Sequence, residues 1–121
     1  MSLFTEKIGE KYFFILPQIA MDEIKSNLEK RGFVILNFDK KNETLEFDCP
    51  SKVIDIGFWK CFSRKVTIKF TGIKGGSLIE IFRIPSLYPS RSKTKVISAD
   101  EIMNIVLLDF MAAHFWTNPP R

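Results

Sequence analysis

The chain has 121 residues, 45% of them hydrophobic and 26% charged, and carries a formal net charge of +4. These proportions fit one soluble globular domain over residues 1–121, at about 100–200 residues per domain, and exclude intrinsic disorder, a collagen-like repeat and a multidomain enzyme. At this size roughly two-thirds of the unfolded surface is buried on folding, enough for a core that needs neither disulfide nor metal.

Residues 11–16 (Lys-Tyr-Phe-Phe-Ile-Leu) form a short aromatic and β-branched run before Pro17, which reads as a strand or as an apolar lead-in to a helix. A helix is predicted over 17–31. Pro17 suits its first position and Gly32 the left-handed position after its end. Ala20, Ile24 and Leu28, with Met21 beside them, give it one apolar stripe. Asp22 and Glu23 lie early and Lys30 and Arg31 late, as the helix dipole prefers. Residues 33–38 and 44–49 read as a hairpin, with Asp39–Glu43 as its turn and Asn42 suited to a positive φ. In the second strand Leu45, Phe47 and Cys49 face one side and Thr44, Glu46 and Asp48 the other.

Beyond Pro50, Ile54, Ile56 and Phe58 alternate with Val53, Asp55 and Gly57, a strand pattern. Val66, Ile68 and Phe70 alternate with Lys65, Thr67 and Lys69, the clearest half-buried strand of the chain. Gly72-Ile73-Lys74-Gly75-Gly76 is a turn, and 78–84 a strand with apolar residues on both faces, ended by Pro85. Residues 85–95 form a long, polar, basic loop. Ser98 and Glu101 make a capping box for a helix over 99–116. The polar interruptions Asn104, Asp109 and His114 fall on different sides of that helix, so it is buried on more than one side. It is too short, and too interrupted by Asp109, to span a bilayer.

The fold class expected is α+β: an antiparallel sheet of five or six strands with the N-terminal helix (17–31) and the long C-terminal helix (99–116) packed on it. In element order this resembles the helix-grip architecture of small lipid- and hormone-binding proteins. That resemblance implies a strongly curved sheet wrapped around the C-terminal helix. A flatter sheet, with the helix shared between the two protomers of a homodimer, satisfies the same apolar surface.

Charge is distributed unevenly along the chain. Residues 57–95 hold nine basic residues (Lys60, Arg64, Lys65, Lys69, Lys74, Arg83, Arg91, Lys93, Lys95) and one acid, Glu80, while the remainder holds nine basic and thirteen acidic residues. Lys65 and Lys69 share a strand face, Arg91, Lys93 and Lys95 lie on the loop, and Tyr88 and Trp59 belong to the same stretch. Cations for phosphates and rings for bases are how single-stranded nucleic acids are held. An acidic protein or anionic headgroups would meet the same charges. Lysine on exposed strands also keeps edges from pairing, and no RNA-recognition signature accompanies these residues. The sequence therefore reads as a small non-catalytic binding or regulatory module. Its partner would be a nucleic acid or an acidic protein, met by Lys65, Lys69, Arg91, Lys93 and Lys95, with Tyr88 stacking. The alternative is a helix-grip-like carrier of a hydrophobic small molecule. Phe58, Phe62, Phe70, Phe82, Phe110, Phe115 and Trp116 would line its pocket between sheet and helix, although the same rings serve equally to fill a core.

Catalytic chemistry has little to stand on. The single histidine, His114, lies five residues from Asp109, a poor helical contact, and a general base needs a positioned partner. Cys61, between Lys60 and Arg64, is the better candidate for a reactive thiol, and Cys49 is on a dry strand face. The two cysteines have no metal or redox spacing. Glu46, Asp48 and Asp55 supply too few oxygens for a hard cation. The glycines at 72–76 lack the phosphate-loop pattern. No cofactor or metal is expected. The charged segment before Tyr12 is unlike a secretory signal, so the expected compartment is the cytoplasm.

Overall fold

The computed structural model describes residues 6–49, 51–53, 61–62, 65–83, 94–95 and 99–117. Along the chain these form β1 (Glu6–Phe13), α1 (Pro17–Lys30), β2 (Val34–Asp39), β3 (Thr44–Asp48), β4 (Ser51–Val53), β5 (Cys61–Phe62), β6 (Lys65–Ile73), β7 (Gly76–Arg83), β8 (Thr94–Lys95), α2 (Ala99–Ala113) and β9 (Trp116–Thr117). The result is an α+β fold. A six-stranded antiparallel sheet has the order β2-β3-β6-β7-β1-β9, and a second, three-stranded sheet has the order β5-β4-β8.

α1 starts where its sequence says it should. Leu16 is extended (φ −66°, ψ 143°), as the residue before a proline must be, and Pro17 opens the helix. Gly32 takes a φ of +88°, and its N–H and that of Phe33 return to the carbonyls of Glu29 and Leu28 at 3.0 Å each, closing the helix end. Ala20, Met21, Ile24 and Leu28 are the fully buried stripe. The first turn holds no acidic side chain, so Asp22 and Glu23 act elsewhere: Asp22 pairs with Lys40 at 2.8 Å and Glu23 with His114 at 2.7 Å.

Two element boundaries differ from expectation. β1 begins at Glu6 and stops at Phe13 rather than running over 11–16, because the chain must bend through Phe14 and Ile15 to reach Pro17. α2 stops at Ala113 rather than 116, its last turn closed by the His114 N–H on the Phe110 carbonyl at 3.1 Å. Trp116 and Thr117 then pair with Phe13 and Tyr12, and the Phe14 N–H reaches the Phe115 carbonyl at 3.2 Å. Ladder bonds on the edge of the sheet replace a further turn of helix.

The hairpins are also specific. In the β2–β3 turn it is Glu43 (φ 55°) that takes the left-handed conformation, not Asn42. Asn42 instead donates its backbone N–H (3.1 Å) and its side-chain amide (2.7 Å) to the Asp39 carboxylate, holding that carboxyl below its usual range. β6 and β7 run straight through the glycines expected to be loop, and the turn itself is only Lys74 (φ 49°) and Gly75 (φ 80°). Two positive φ values in a two-residue loop match the twist of the flanking strands. Gly76 has no room for a Cβ, which would meet the Phe13 carbonyl oxygen and the Tyr12 hydroxyl. That hydroxyl is shared between the carbonyls of Ile73 (2.8 Å) and Lys74 (3.0 Å), tying β1 to the turn.

Both helices lie on one face of the sheet. Phe13, Leu45, Phe47, Val66, Ile68, Phe70, Ile79 and Ile81 project from the strands onto α1 and onto Ile102, Val106, Leu107 and Phe110 of α2. Phe110 meets Phe13 edge-on at 4.6 Å between ring centres. The helices also join through Arg31–Asp109 (3.0 Å) and Glu23–His114. α2 is apolar nearly all round but is not buried all round: Leu108 is 54% exposed. Of the strand pattern at 53–58 only Val53 is described, and Ser98 of the capping box lies outside the described residues. No helix among the described residues is long and apolar enough to cross a membrane.

Candidate functional site

The face of the sheet opposite the helices is where the strand alternation puts the polar half of each strand. On β6 the buried residues Val66, Ile68 and Phe70 alternate with Lys65, Thr67 and Lys69, so the two lysines do share a face and both are exposed. The register then fixes their neighbours. One row across the sheet runs Asp39, Thr44, Lys69, Glu80, Glu10, and the next runs Asn37, Glu46, Thr67, Phe82, Lys7. Asp48 stands opposite Lys65.

These neighbours change the electrostatics that the chain segment alone suggests. Lys65 reaches Glu46 at 3.4 Å, and the Thr67 hydroxyl donates to the same carboxylate at 3.3 Å. Lys7 lies between Glu10 (2.6 Å) and Glu80 (2.8 Å). Hydrogen bonds to Glu10 first and Glu80 second hold its ammonium above the usual lysine pKa. Lys69 forms no ion pair among the described residues. Lys7, Lys65 and Lys69 therefore face the carboxylates of Asp39, Glu46, Asp48, Glu10 and Glu80. On this face carboxylates from β1, β2 and β3 offset part of the positive excess of residues 57–95, while Lys69 keeps a charge with no ion pair among the described residues.

Of the rest of the basic stretch, Lys74 lies in the β6–β7 turn, Arg83 ends β7 and Lys95 lies on β8. β3 ends at Asp48 beside Lys65, β7 ends at Arg83 beside Val66, and the three strands of the second sheet lie between or beyond these ends in the chain. In that second sheet Lys95 on β8 stands opposite Lys52 on β4, and Cys61 on β5 is the other neighbour of Lys52. Arg91, Lys93 and Tyr88 lie outside the described residues, as do Trp59, Lys60 and Arg64. Lys52 escapes a reading based on the segment 57–95 because it precedes that segment; only strand pairing brings it to Lys95.

Among the described side chains, which leave out Phe58 and Phe62, the rings named for an apolar pocket do not meet in one place. Phe70 and Phe110 are fully buried in the packed core, Phe82 is half-buried on the opposite face of the sheet, and Phe115 is 85% exposed. An open groove of about 370 Å³ passes the end of α2, lined by Met111, Ala112, Ala113, His114, Phe115 and Trp116. Phe58 lies outside the described residues.

Of the candidate catalytic groups, His114 makes contacts between the helices, and the side chain of Cys61 lies outside the described residues. His114 Nε2 is 2.7 Å from Glu23 Oε2, and the imidazole lies on the Phe110 ring at 4.5 Å, so it joins the two helices. Asp109, its nearest acid in sequence, is engaged by Arg31. Cys49 is buried, and desolvation pushes its thiol up to about 11, which leaves it protonated at neutral pH. Among the described residues no three histidine, cysteine, aspartate or glutamate side chains are grouped to hold a metal ion. No protein-family model matches the chain, and no curated protein shows significant similarity to it.

Proposed function

We propose that the protein is a small non-catalytic binding module that contacts an anionic partner, a nucleic acid or an acidic protein. The contact lies at the end of the sheet where Lys65 leads into the second sheet. The observation that carries this reading is the register Lys52 opposite Lys95. Like charges at directly opposed strand positions cost stability unless an anion offsets them. Arg91 and Lys93 alternate with Ser92 and Thr94 just before Lys95 in the chain, and Tyr88 a few residues earlier supplies a ring for stacking. Lys69, exposed and without an ion pair among the described residues, extends the contact along β6.

The helix-grip-like carrier is the second reading. In its favour, β1 lies beside β7 and α2 follows the last long strand. The complete burial of Phe70 and Phe110 among their neighbours argues for a filled core instead. Fluorescence anisotropy with single- and double-stranded oligonucleotides and with an acidic peptide separates the readings. Micromolar or tighter binding to one of these probes is expected, and it should be lost when Arg91, Lys93 and Lys95 are reversed to Glu. Absence of binding to all three at low salt refutes the proposal.

A further inference from the structure

The outer edge of β1 is paired with β9 only at Tyr12 and Phe13. From Glu6 to Lys11 no strand among the described residues lies on that side. An open edge of six residues is a template for another chain, and charged side chains normally guard it. Here the guard has a particular order: Glu6-Lys7-Ile8-Gly9-Glu10-Lys11. Read antiparallel against itself about the midpoint of Ile8 and Gly9, every glutamate meets a lysine.

The side-chain faces obey the same symmetry. The register of β1 on β7 shifts between Lys7 and Gly9, so the strand carries a bulge at Ile8. Lys7 and Glu10 lie together on the open face, bonded to each other. Ile8 packs against the core, and Gly9 faces Met103 of α2. Glu6 pairs with Arg83, and Lys11 lies over the Trp116 ring at 4.8 Å. Each residue of the six thus shares a face with its counterpart in the reversed strand, which an unbulged six-residue strand would not allow. On the open face Lys7 serves two carboxylates, Glu10 and Glu80, so a second lysine has somewhere to go.

We propose that this edge is a homodimer interface: a second copy adds its own β1 antiparallel across a two-fold axis between Ile8 and Gly9, setting Glu6 against the partner's Lys11 and Lys7 against the partner's Glu10. The interface is isologous, so one sequence supplies both complementary halves. The two copies of β9 bracket it at either end, which limits the added pairing to these six residues. Strands of other charge order are rejected by the same side chains that admit a second copy.

The test is the mass of the full chain in solution, by light scattering or sedimentation from about 1 to about 100 µM. A mass of twice 14.0 kDa at the upper end is expected. Lys7→Glu/Lys11→Glu makes the edge wholly acidic and Glu6→Lys/Glu10→Lys makes it wholly basic. Each is expected to be a monomer alone, and an equimolar mixture to form the heterodimer. A monomeric wild-type chain throughout, or reversed chains that dimerise alone, overturns the proposal. Should circular dichroism show the reversed chains unfolded, amide exchange on the wild-type chain decides. Protection of residues 6–11 that rises with concentration supports the interface, and protection that is the same at both concentrations overturns it.

Discussion

Phe110→Ala tests how α2 is held. The ring is completely buried, stands edge-on to Phe13 at 4.6 Å and carries the His114 imidazole at 4.5 Å. Truncating a buried phenylalanine costs about 3–5 kcal/mol through lost transfer energy and the cavity left behind. A chain of this length has a total stability of roughly 6–18 kcal/mol, so the loss is a large fraction of it. At about 3–5 °C per kcal/mol, the midpoint of thermal unfolding should fall by roughly 10–20 °C. Leu108→Ala, two residues away and 54% exposed, is the control and should stay within about 0.5 kcal/mol. Urea unfolding of both variants measures the difference directly, with unchanged slopes identifying a pure stability effect. Equal losses at the two positions would refute the assignment of the buried face. A negligible loss at Phe110 would instead indicate a cavity that tolerates the ring's removal, and would revive the carrier reading.

Other expectations follow from particular contacts. Lys74→Asn should raise stability by roughly 0.5–1 kcal/mol, because asparagine tolerates the left-handed conformation that Lys74 now occupies at φ 49°; a chevron or urea midpoint that falls would contradict the turn geometry. Cys49 has a folded pKa of about 11 against 9.0 unfolded, so the stability its burial contributes is present below pH 9 and is lost as pH rises toward 11. A Cys49→Ala chain should lack that part of the alkaline slope, and on a Cys61→Ser background Ellman's reagent should leave folded Cys49 untouched at pH 8. The Glu23–His114 pair is partly exposed, so a double-mutant cycle with Glu23→Gln and His114→Ala should give a coupling of about 0.5–1 kcal/mol; zero coupling would mean that the contact does not join the helices.

Local signals in the sequence were enough for α1 and β6. Pro17, the four-residue spacing of Ala20, Ile24 and Leu28, and Gly32 each encode one feature of the same helix. On β6 the strict alternation of lysine and threonine with valine, isoleucine and phenylalanine leaves one choice of face. The misses are non-local. The start of β1 reads as polar chain because Glu6, Lys7 and Glu10 occupy the edge strand and the open face of a sheet that only forms with β7. His114 finds Glu23 ninety-one positions away, beyond the reach of helical spacing. Glu43 holds the left-handed position while Asn42 is occupied by Asp39, a choice made by the hairpin as a whole.

The candidate site shows the same limit. Lys65 and Lys69 share a face, as alternation requires, but the charge of a segment is not the charge of a surface. β3 brings Glu46 and Asp48 to β6, and β1 and β7 bring Glu10 and Glu80. Meanwhile pairing of β4 with β8 adds Lys52, which lies outside the basic stretch.

The central claim is best tested by titrating salt against the binding of a labelled single-stranded oligonucleotide to the unmodified chain. Five phosphate contacts, from Lys52, Lys69, Arg91, Lys93 and Lys95, would give a slope of log K against log salt of about −3.5. A slope of that size, falling toward about −1.4 when Arg91, Lys93 and Lys95 are replaced, is the result expected of a nucleic-acid contact. Binding with a slope near zero, or none at the lowest salt for any oligonucleotide or acidic peptide, would contradict the assignment of this end of the sheet to an anionic partner.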